Sequence, residues 1–351
     1  MRVSPPNQLR WLRRFAWLTA AATLFLICSG GMVTSRGVGL AVPDWPTTFG
    51  YNMFLFPVSK WVGGIFFEHT HRLIASVVGL LTIALALWVW KVEERKWMRV
   101  LGSVALAAVV LQGVLGGLRV TMLKDEIGIF HACLAQAFFG LLVFIAVALS
   151  PWWKGAARTS ATLSTIARWL AVTTTALIYL QLALGATMRH QHRDLAILDF
   201  PAAYGQVLPD VSAPHLAQVN QWREAQALSE VTVGQIWLQM AHRFGALLIA
   251  IGVIGHWGAL RRQQQHIATP LRTLSTVWVL LLAVQITLGA WTIWSNKAAD
   301  IATAHVATGA TMLALGVAIS AVTTRWQSSS GRLVAGRQRA DIPMAERAPA
   351  L

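Results

Sequence analysis

Apolar residues fall along the chain in eight long stretches parted by polar segments. They lie near Phe15–Val33, Glu68–Trp90, Val100–Val120, Ile129–Leu149, Ile166–Met188, Gln235–Trp257, Thr273–Trp294 and Thr303–Thr323. Each approaches the roughly 20 residues that an α-helix needs to cross a bilayer. In lipid only helices and closed barrels satisfy their own backbone polar groups, and the two-residue alternation of a barrel strand is absent. The pattern predicts an all-α polytopic membrane protein with eight transmembrane helices. The first stretch is long for a signal peptide, and its exit, Ser29-Gly30-Gly31, lacks a cleavage pattern, so it reads as a retained span.

Composition strengthens this picture. Of 351 residues, 56% are apolar and 12% charged, about half the charged share of soluble domains. A soluble enzyme and a disordered chain are both excluded. The net charge of +15 would suit nucleic acid if it were clustered, but it is divided among short connections. Sorted by side of the membrane, one side holds 19 Lys and Arg with 4 acidic residues, and the other holds 10 of each. The positive side is expected to be cytoplasmic, with both termini there, in a bacterial plasma membrane. Cys28 and Cys133 lie far apart in apolar stretches and make neither a disulfide framework nor a thiolate metal cluster.

An internal duplication organises the chain. Leu40-Ala41-x-x-Asp44-Trp45-Pro46-x-x-Phe49-Gly50 recurs 155 residues later as Leu195-Ala196-x-x-Asp199-Phe200-Pro201-x-x-Tyr204-Gly205. His71-Arg72 recurs as His242-Arg243 at an offset of 171, Gln112-x-x-x-Gly116 as Gln285-x-x-x-Gly289 at 173, and His131 as His305 at 174. The growth in offset places extra residues in the outer loop around 206–234. Each repeat has four spans, so the halves share one orientation and a pseudo-twofold axis runs along the membrane normal. Two four-helix bundles are expected: residues 1–157 and 158–325, followed by a disordered cytoplasmic tail, 326–351. The odd-numbered spans share small-residue exits, Gly30-Gly31, Gly116-Gly117, Gly185-Ala186 and Gly289-Ala290. These fit close helix packing and also room for a flat macrocycle.

Ten histidines are present. His190, His192 and His215 fall in the long outer loop, His266 in a cytoplasmic loop, and His256 near an inner helix end, where exposure is the default. His69 receives no role. His71, His131, His242 and His305 differ. Each stands near the outer end of an even-numbered span, two per half and at matching depth. Polar residues inside spans are costly and usually functional. Two histidines on separate helices are few for a dedicated zinc site but suit an iron porphyrin, which brings four ligands of its own. Arg72 and Arg243 then read either as contacts to haem propionates or as interfacial anchors. Asp44 and Asp199 read as turn formers in loops that cap each bundle.

The symmetry breaks at one position. Glu68 precedes His71 by one helical turn, and its repeat partner is Gln239. A carboxyl can exchange protons or stabilise developing positive charge, whereas an amide cannot. This asymmetry assigns chemistry to the N-terminal half and cofactor holding to the C-terminal half.

Glu68-His69-Thr70-His71-Arg72, the four outer-end histidines, the Gly39–Pro46 loop and the duplicated eight-span plan together resemble the heme A synthase family over roughly residues 15–325. The resemblance implies a resident haem b held by His242 and His305, and a heme O substrate site with His71 and His131. It implies oxidation of the porphyrin C8 methyl to a formyl group through an alcohol and its hydrate, with Glu68 as the essential carboxylate. The product would serve terminal oxidases. Implied partners are heme O synthase, an electron acceptor such as a quinone, the lipid bilayer and a second copy of the chain in a homo-oligomer; nucleic acid is not among them. The haem sites would face the extracytoplasmic side. Some family members carry a cysteine pair in the first outer loop, and residues 35–67 contain no cysteine. Two other classes share some of these features. A di-haem cytochrome oxidising quinol would use the four histidines without needing the Glu68–Gln239 difference. A transporter with parallel repeats would place its polar site nearer the midplane.

Overall fold

The computed structural model describes residues 6–156, 164–190, 195–263 and 269–340. Its helices are α1 (Pro6–Ser35), α2 (Gly63–Val92), α3 (Lys96–Met122), α4 (Asp125–Ala148), α5 (Pro151–Ala156), α6 (Thr165–His190), α7 (Ala213–Ala225), α8 (Val233–Arg261), α9 (Thr269–Trp294) and α10 (Ala299–Ala340). All but the short α5 and α7 are long and apolar enough to cross a membrane, making eight among the described residues. No strand occurs among them beyond two isolated bridges, Thr48 to Tyr51 and Ala203 to Gln206. The all-α, eight-span expectation therefore holds, and each helix lies on its apolar stretch.

Most helices run several residues past the apolar stretch at one end or both, because polar residues at the interface continue the helix until a cap or breaker stops it. α3 ends where Leu123 turns left-handed, at φ 55°, and its amide bonds Arg119 O. α8 starts at a capping box, in which Thr232 and Gln235 satisfy each other's backbone amides. Within the spans, threonine hydroxyls such as those of Thr82, Thr175 and Thr323 donate to the carbonyl one turn back, so they need no water.

Packing closes two rings of four helices. α1–α2, α2–α3, α3–α4 and α4–α1 touch, as do α6–α8, α8–α9, α9–α10 and α10–α6. The rings meet where α4 packs against α6 and α10, and α1 against α10. α4 and α10 are the most enclosed spans. Outward faces carry exposed Leu80, Leu87, Val100, Leu247, Ile251 and Leu280. So much contiguous apolar surface marks a face made for lipid.

Three expectations need correction. The chain from residue 326, expected to be disordered, continues α10 to Ala340; its Arg, Gln, Ala and Leu are good helix formers and the first proline is Pro343. Residues 341–351 lie outside the described residues, as do His192 and His266. His256 is fully buried, its Nδ1 2.8 Å from Ala167 O and its ring edge-on to Trp278. His190 is the last residue of α6, also buried, and packs against Gly128 of α4. Both follow from helix–helix contacts between distant parts of the chain. Cys28 and Cys133 are free.

Candidate functional site

The four repeat-related histidines sit in the same local setting. Each ring lies against a glycine of the preceding span. A Cβ placed on Gly30 would approach His71 Cε1 to 2.9 Å, and one on Gly289 would approach His305 Cε1 to 3.1 Å. The corresponding distance is 3.4 Å both for Gly116 to His131 and for Gly185 to His242. Real Cβ atoms rarely come as near as the first two, whereas 3.4 Å is an ordinary contact, so Gly30 and Gly289 in particular leave room for an imidazole. The small-residue exits were expected to allow close helix packing and to leave room for a macrocycle; the first glycine of each meets a histidine ring, whereas Gly31 meets Thr303 and Gly117 meets Trp45.

All four Nδ1 atoms are buried and lack a hydrogen-bond partner in the protein. An unsatisfied buried polar atom is costly, and four at equivalent places point to a shared ligand chemistry. Gln112 donates to His131 O at 3.0 Å, and its counterpart Gln285 lies 3.4 Å from His305 Nε2 through its own amide nitrogen. His242 and His305 have ring centroids 6.5 Å apart and tilted by 57°. A metal–imidazole bond of about 2 Å puts each ring centre roughly 3 Å from the metal, so this separation suits two imidazoles on opposite sides of one metal. No cluster of three or more His, Cys, Asp or Glu occurs among the described residues. The His242–His305 pair therefore fits a metal that brings further ligands with it, as an iron porphyrin does.

The two outer loops are built alike and clamped alike. Asp44 accepts from Phe49 N (2.7 Å), Gly50 N (2.9 Å) and the Thr47 hydroxyl. Burial works against its charge, but these bonds outweigh burial and hold its carboxyl below the ordinary value. Asp199 accepts from Tyr204 N (2.9 Å) and Gly205 N (2.8 Å). Phe49 and Tyr204 both take positive φ, and the X–Pro bonds Trp45–Pro46 and Phe200–Pro201 are both cis. Arg72 donates from Nη1 to Asp44 O (2.7 Å) and Thr47 O (3.1 Å), and from Nη2 to Val42 O (2.8 Å) and Glu68 Oε1 (2.7 Å). Arg243 reaches Ala202 O at 2.7 Å and Asp199 O at 2.6 Å. Both arginines cap their loops through backbone carbonyls, a role beside the two read from sequence. The terminal nitrogens of Arg72 have no proton left for a propionate.

Glu68 is buried, and its second oxygen accepts Val42 N at 3.0 Å. Gln239, also buried, holds the corresponding residue through both its atoms: Ile197 N donates to Oε1 at 2.9 Å, and Nε2 donates to Ile197 O at 2.8 Å. The same bracket is thus made once with a charge and an arginine, and once with neither. His69, beside Glu68, is buried between Phe56 and Trp61 with Nδ1 3.2 Å from the Thr48 hydroxyl; it supports the loop.

Two arginines of this region were not singled out from sequence. Arg189 of α6 crosses to α1, where it bonds Gly31 O and Ser35 Oγ. Ser35 in turn lies 3.3 Å from Thr303, two residues before His305. Arg119 of α3 stands near His71 and His131. Arginines inside apolar stretches, at places where the other repeat has Thr34 and Thr292, were the available signal. In the 206–234 loop, α7 is held by Arg223, which is buried and donates to Ser229 O and Leu195 O.

Comparison with known proteins agrees with the architecture. Residues 13–317 match the family of cytochrome oxidase assembly proteins. The heme A synthase of Geobacillus kaustophilus is 26% identical over 84% of this chain and 86% of its own length. That of Shewanella oneidensis is 24% identical over 93% of this chain and all of its own, and that of Alkalihalophilus pseudofirmus 28% over 58% and 68%. The family match spans both rings of helices, all four histidines and both clamped loops, and the chain belongs to the cytochrome oxidase assembly protein family.

Proposed function

We propose that the chain is a heme A synthase, a multi-pass membrane enzyme that oxidises the C8 methyl of heme O to a formyl group. The observation that carries this reading is the pair of matched histidine sites whose loop-bracing residue changes from an acid to an amide, Glu68 against Gln239. His242 and His305 hold a resident haem b. His71 and His131 receive the substrate heme O. When bound, haem b supplies one-electron redox capacity.

The protein's own residues supply positioning and charge. Turning the methyl into a formyl group, through the alcohol and its hydrate, takes its oxygen from water and releases four electrons and four protons, and positive character develops at the reacting carbon. Glu68, one helical turn from His71, offers a buried carboxylate that can stabilise that charge or accept a proton. Arg72 keeps the carboxylate oriented, and the clamped loop holds its other oxygen through Val42 N. The N-terminal bundle, 1–157, is then the reacting half and 158–325 the cofactor half. The excess of Lys and Arg on one side supports a reading with both termini in the cytoplasm and the histidines toward the outer side. Electrons leave to an acceptor such as a quinone.

Haem extraction tests the reading directly. The full chain is produced in membranes supplied with heme O, and the pigments are identified by mass. Heme A or its alcohol precursor is expected. Haem b alone would replace the reading with a di-haem electron-transfer cytochrome, and absence of any haem would replace it with a transporter.

A further inference from the structure

A tetrapyrrole such as heme O carries two propionate carboxylates, and their partner in the N-terminal half has to be found once Arg72 is excluded. The arginines nearest the histidines can be checked in turn. Arg36 donates to Met32 Sδ and stacks over Phe67. Arg72 and Arg243 are bound to loop carbonyls. Arg189 is bound to α1. Arg119 is different. It lies in the last turn of α3, and among the described residues its guanidinium has neither a hydrogen-bond acceptor nor an ion-pair partner.

Its position is defined on several sides. A Cβ on Gly39 of the first outer loop would come within 2.9 Å of Arg119 Nη2, and one on Gly128 of α4 within 3.2 Å of its Nε. His190 Nδ1 would be 2.7 Å from that same Gly128 Cβ. Loop, α4 and the end of α6 therefore enclose the guanidinium. Its charge bears on His71, His131 and Glu68. Glu68 and Asp125 attract it, but neither is ion-paired with it. A half-buried guanidinium with five donors and no acceptor calls for an anion, and its planar fork suits a carboxylate. The repeat position holds Thr292, whose hydroxyl turns back to Leu288 O at 2.8 Å. The cation belongs to one half alone.

We propose that Arg119 binds a propionate carboxylate of the tetrapyrrole held by His71 and His131, and so distinguishes the N-terminal site as one for an acidic macrocycle. This rests on the reading of that half as the heme O site. One charge-assisted contact predicts a preference for the free acid of about tenfold to a hundredfold.

The test uses the full chain with its resident haem, given heme O or heme O esterified at both propionates. The wild type should show a KM for the diester about tenfold to a hundredfold higher. Arg119→Gln should raise KM for heme O by a similar factor, with a much smaller change in kcat, and should bind acid and ester alike. The resident haem spectrum should not change. Arg119→Lys should recover part of the preference. If the Gln variant fails to retain haem, Arg119→Thr, which copies the repeat, takes its place. A wild type indifferent to esterification would overturn the proposal, as would a Gln or Thr variant that keeps the full preference. His71→Ala separates the two levels. Heme O binding that survives this change refutes the substrate site itself, whereas binding lost in His71→Ala but unaltered in Arg119→Gln refutes Arg119 alone.

Discussion

The two halves make the same bracket between an outer loop and a histidine-bearing helix, with different chemistry. In the second half Gln239 grips Ile197 N and O with one amide, leaving Arg243 to the loop. In the first half Glu68 grips only Val42 N and needs Arg72 for its other oxygen. A buried ion pair is seldom a better brace than a neutral one, because desolvation offsets the attraction. The second half shows that this fold holds its loop without a charge here. The carboxylate in the first half is therefore better explained by reactivity than by stability.

That contrast is broken most sharply by Glu68→Gln. The amide can copy the Gln239 pattern, taking Val42 N and O, and Arg72 retains its three carbonyls. The chain should insert and keep its resident haem. Heme A formation should fall on the order of 10²–10³-fold, the usual cost of removing one electrostatic catalytic group, and heme O or its alcohol should accumulate. The reciprocal Gln239→Glu should leave heme A output near wild type. Normal output from Glu68→Gln would reduce Glu68 to a brace and erase the distinction between the halves.

A smaller expected difference concerns the histidines. Replacing His242 or His305 by Ala should strip the resident haem spectrum. The same change at His71 or His131 should leave most of it and abolish heme O binding instead. Equal loss of resident haem from both pairs, measured by difference spectra of purified protein, would mean that the halves do not divide the work.

Much of this arrangement was legible in the sequence. Apolar run length gave the eight helices, because lipid permits few alternatives to a helix. The repeated Asp-x-Pro and His-Arg motifs located the clamps and the histidines, since symmetry makes a local motif speak twice. What escaped was contact between distant segments. His256 reads as interfacial until α6 and α9 close over it. His190 reads as loop until α4 packs on it. Arg72 stayed open between propionate contact and interfacial anchor because sequence cannot show that four carbonyl and carboxylate oxygens already surround it. Arg119 passed unnoticed for the converse reason: nothing in the chain reveals which arginine is left without an acceptor.

The smallest effect expected is in the loops themselves, and it has a pH signature. Asp44 and Asp199 both gather two backbone amides, but only Asp44 also has a threonine hydroxyl, because Ala202 stands where Thr47 does. The second loop is braced another way, by Tyr204 Oη donating to Ala196 O at 2.7 Å. Asparagine at 44 would turn one acceptor oxygen into a donor facing an amide. Asp44→Asn should therefore loosen the first loop by about 1 kcal/mol, discounted for its partial exposure, and Asp199→Asn should loosen the second by less. Protease cleavage within residues 36–62 and 195–232 reads the two separately. The Asp44 carboxyl is held below its ordinary value in the folded chain, so its contribution is complete above the unfolded value of about 4 and fades as pH falls through the folded one. The gap in cleavage rate between wild type and Asp44→Asn should stay constant from neutral pH down to about 4 and close below it. A gap of the same size in both loops, or one that widens on acidification, would show that the loops are not held by these carboxylates in the unequal way their hydrogen bonds indicate.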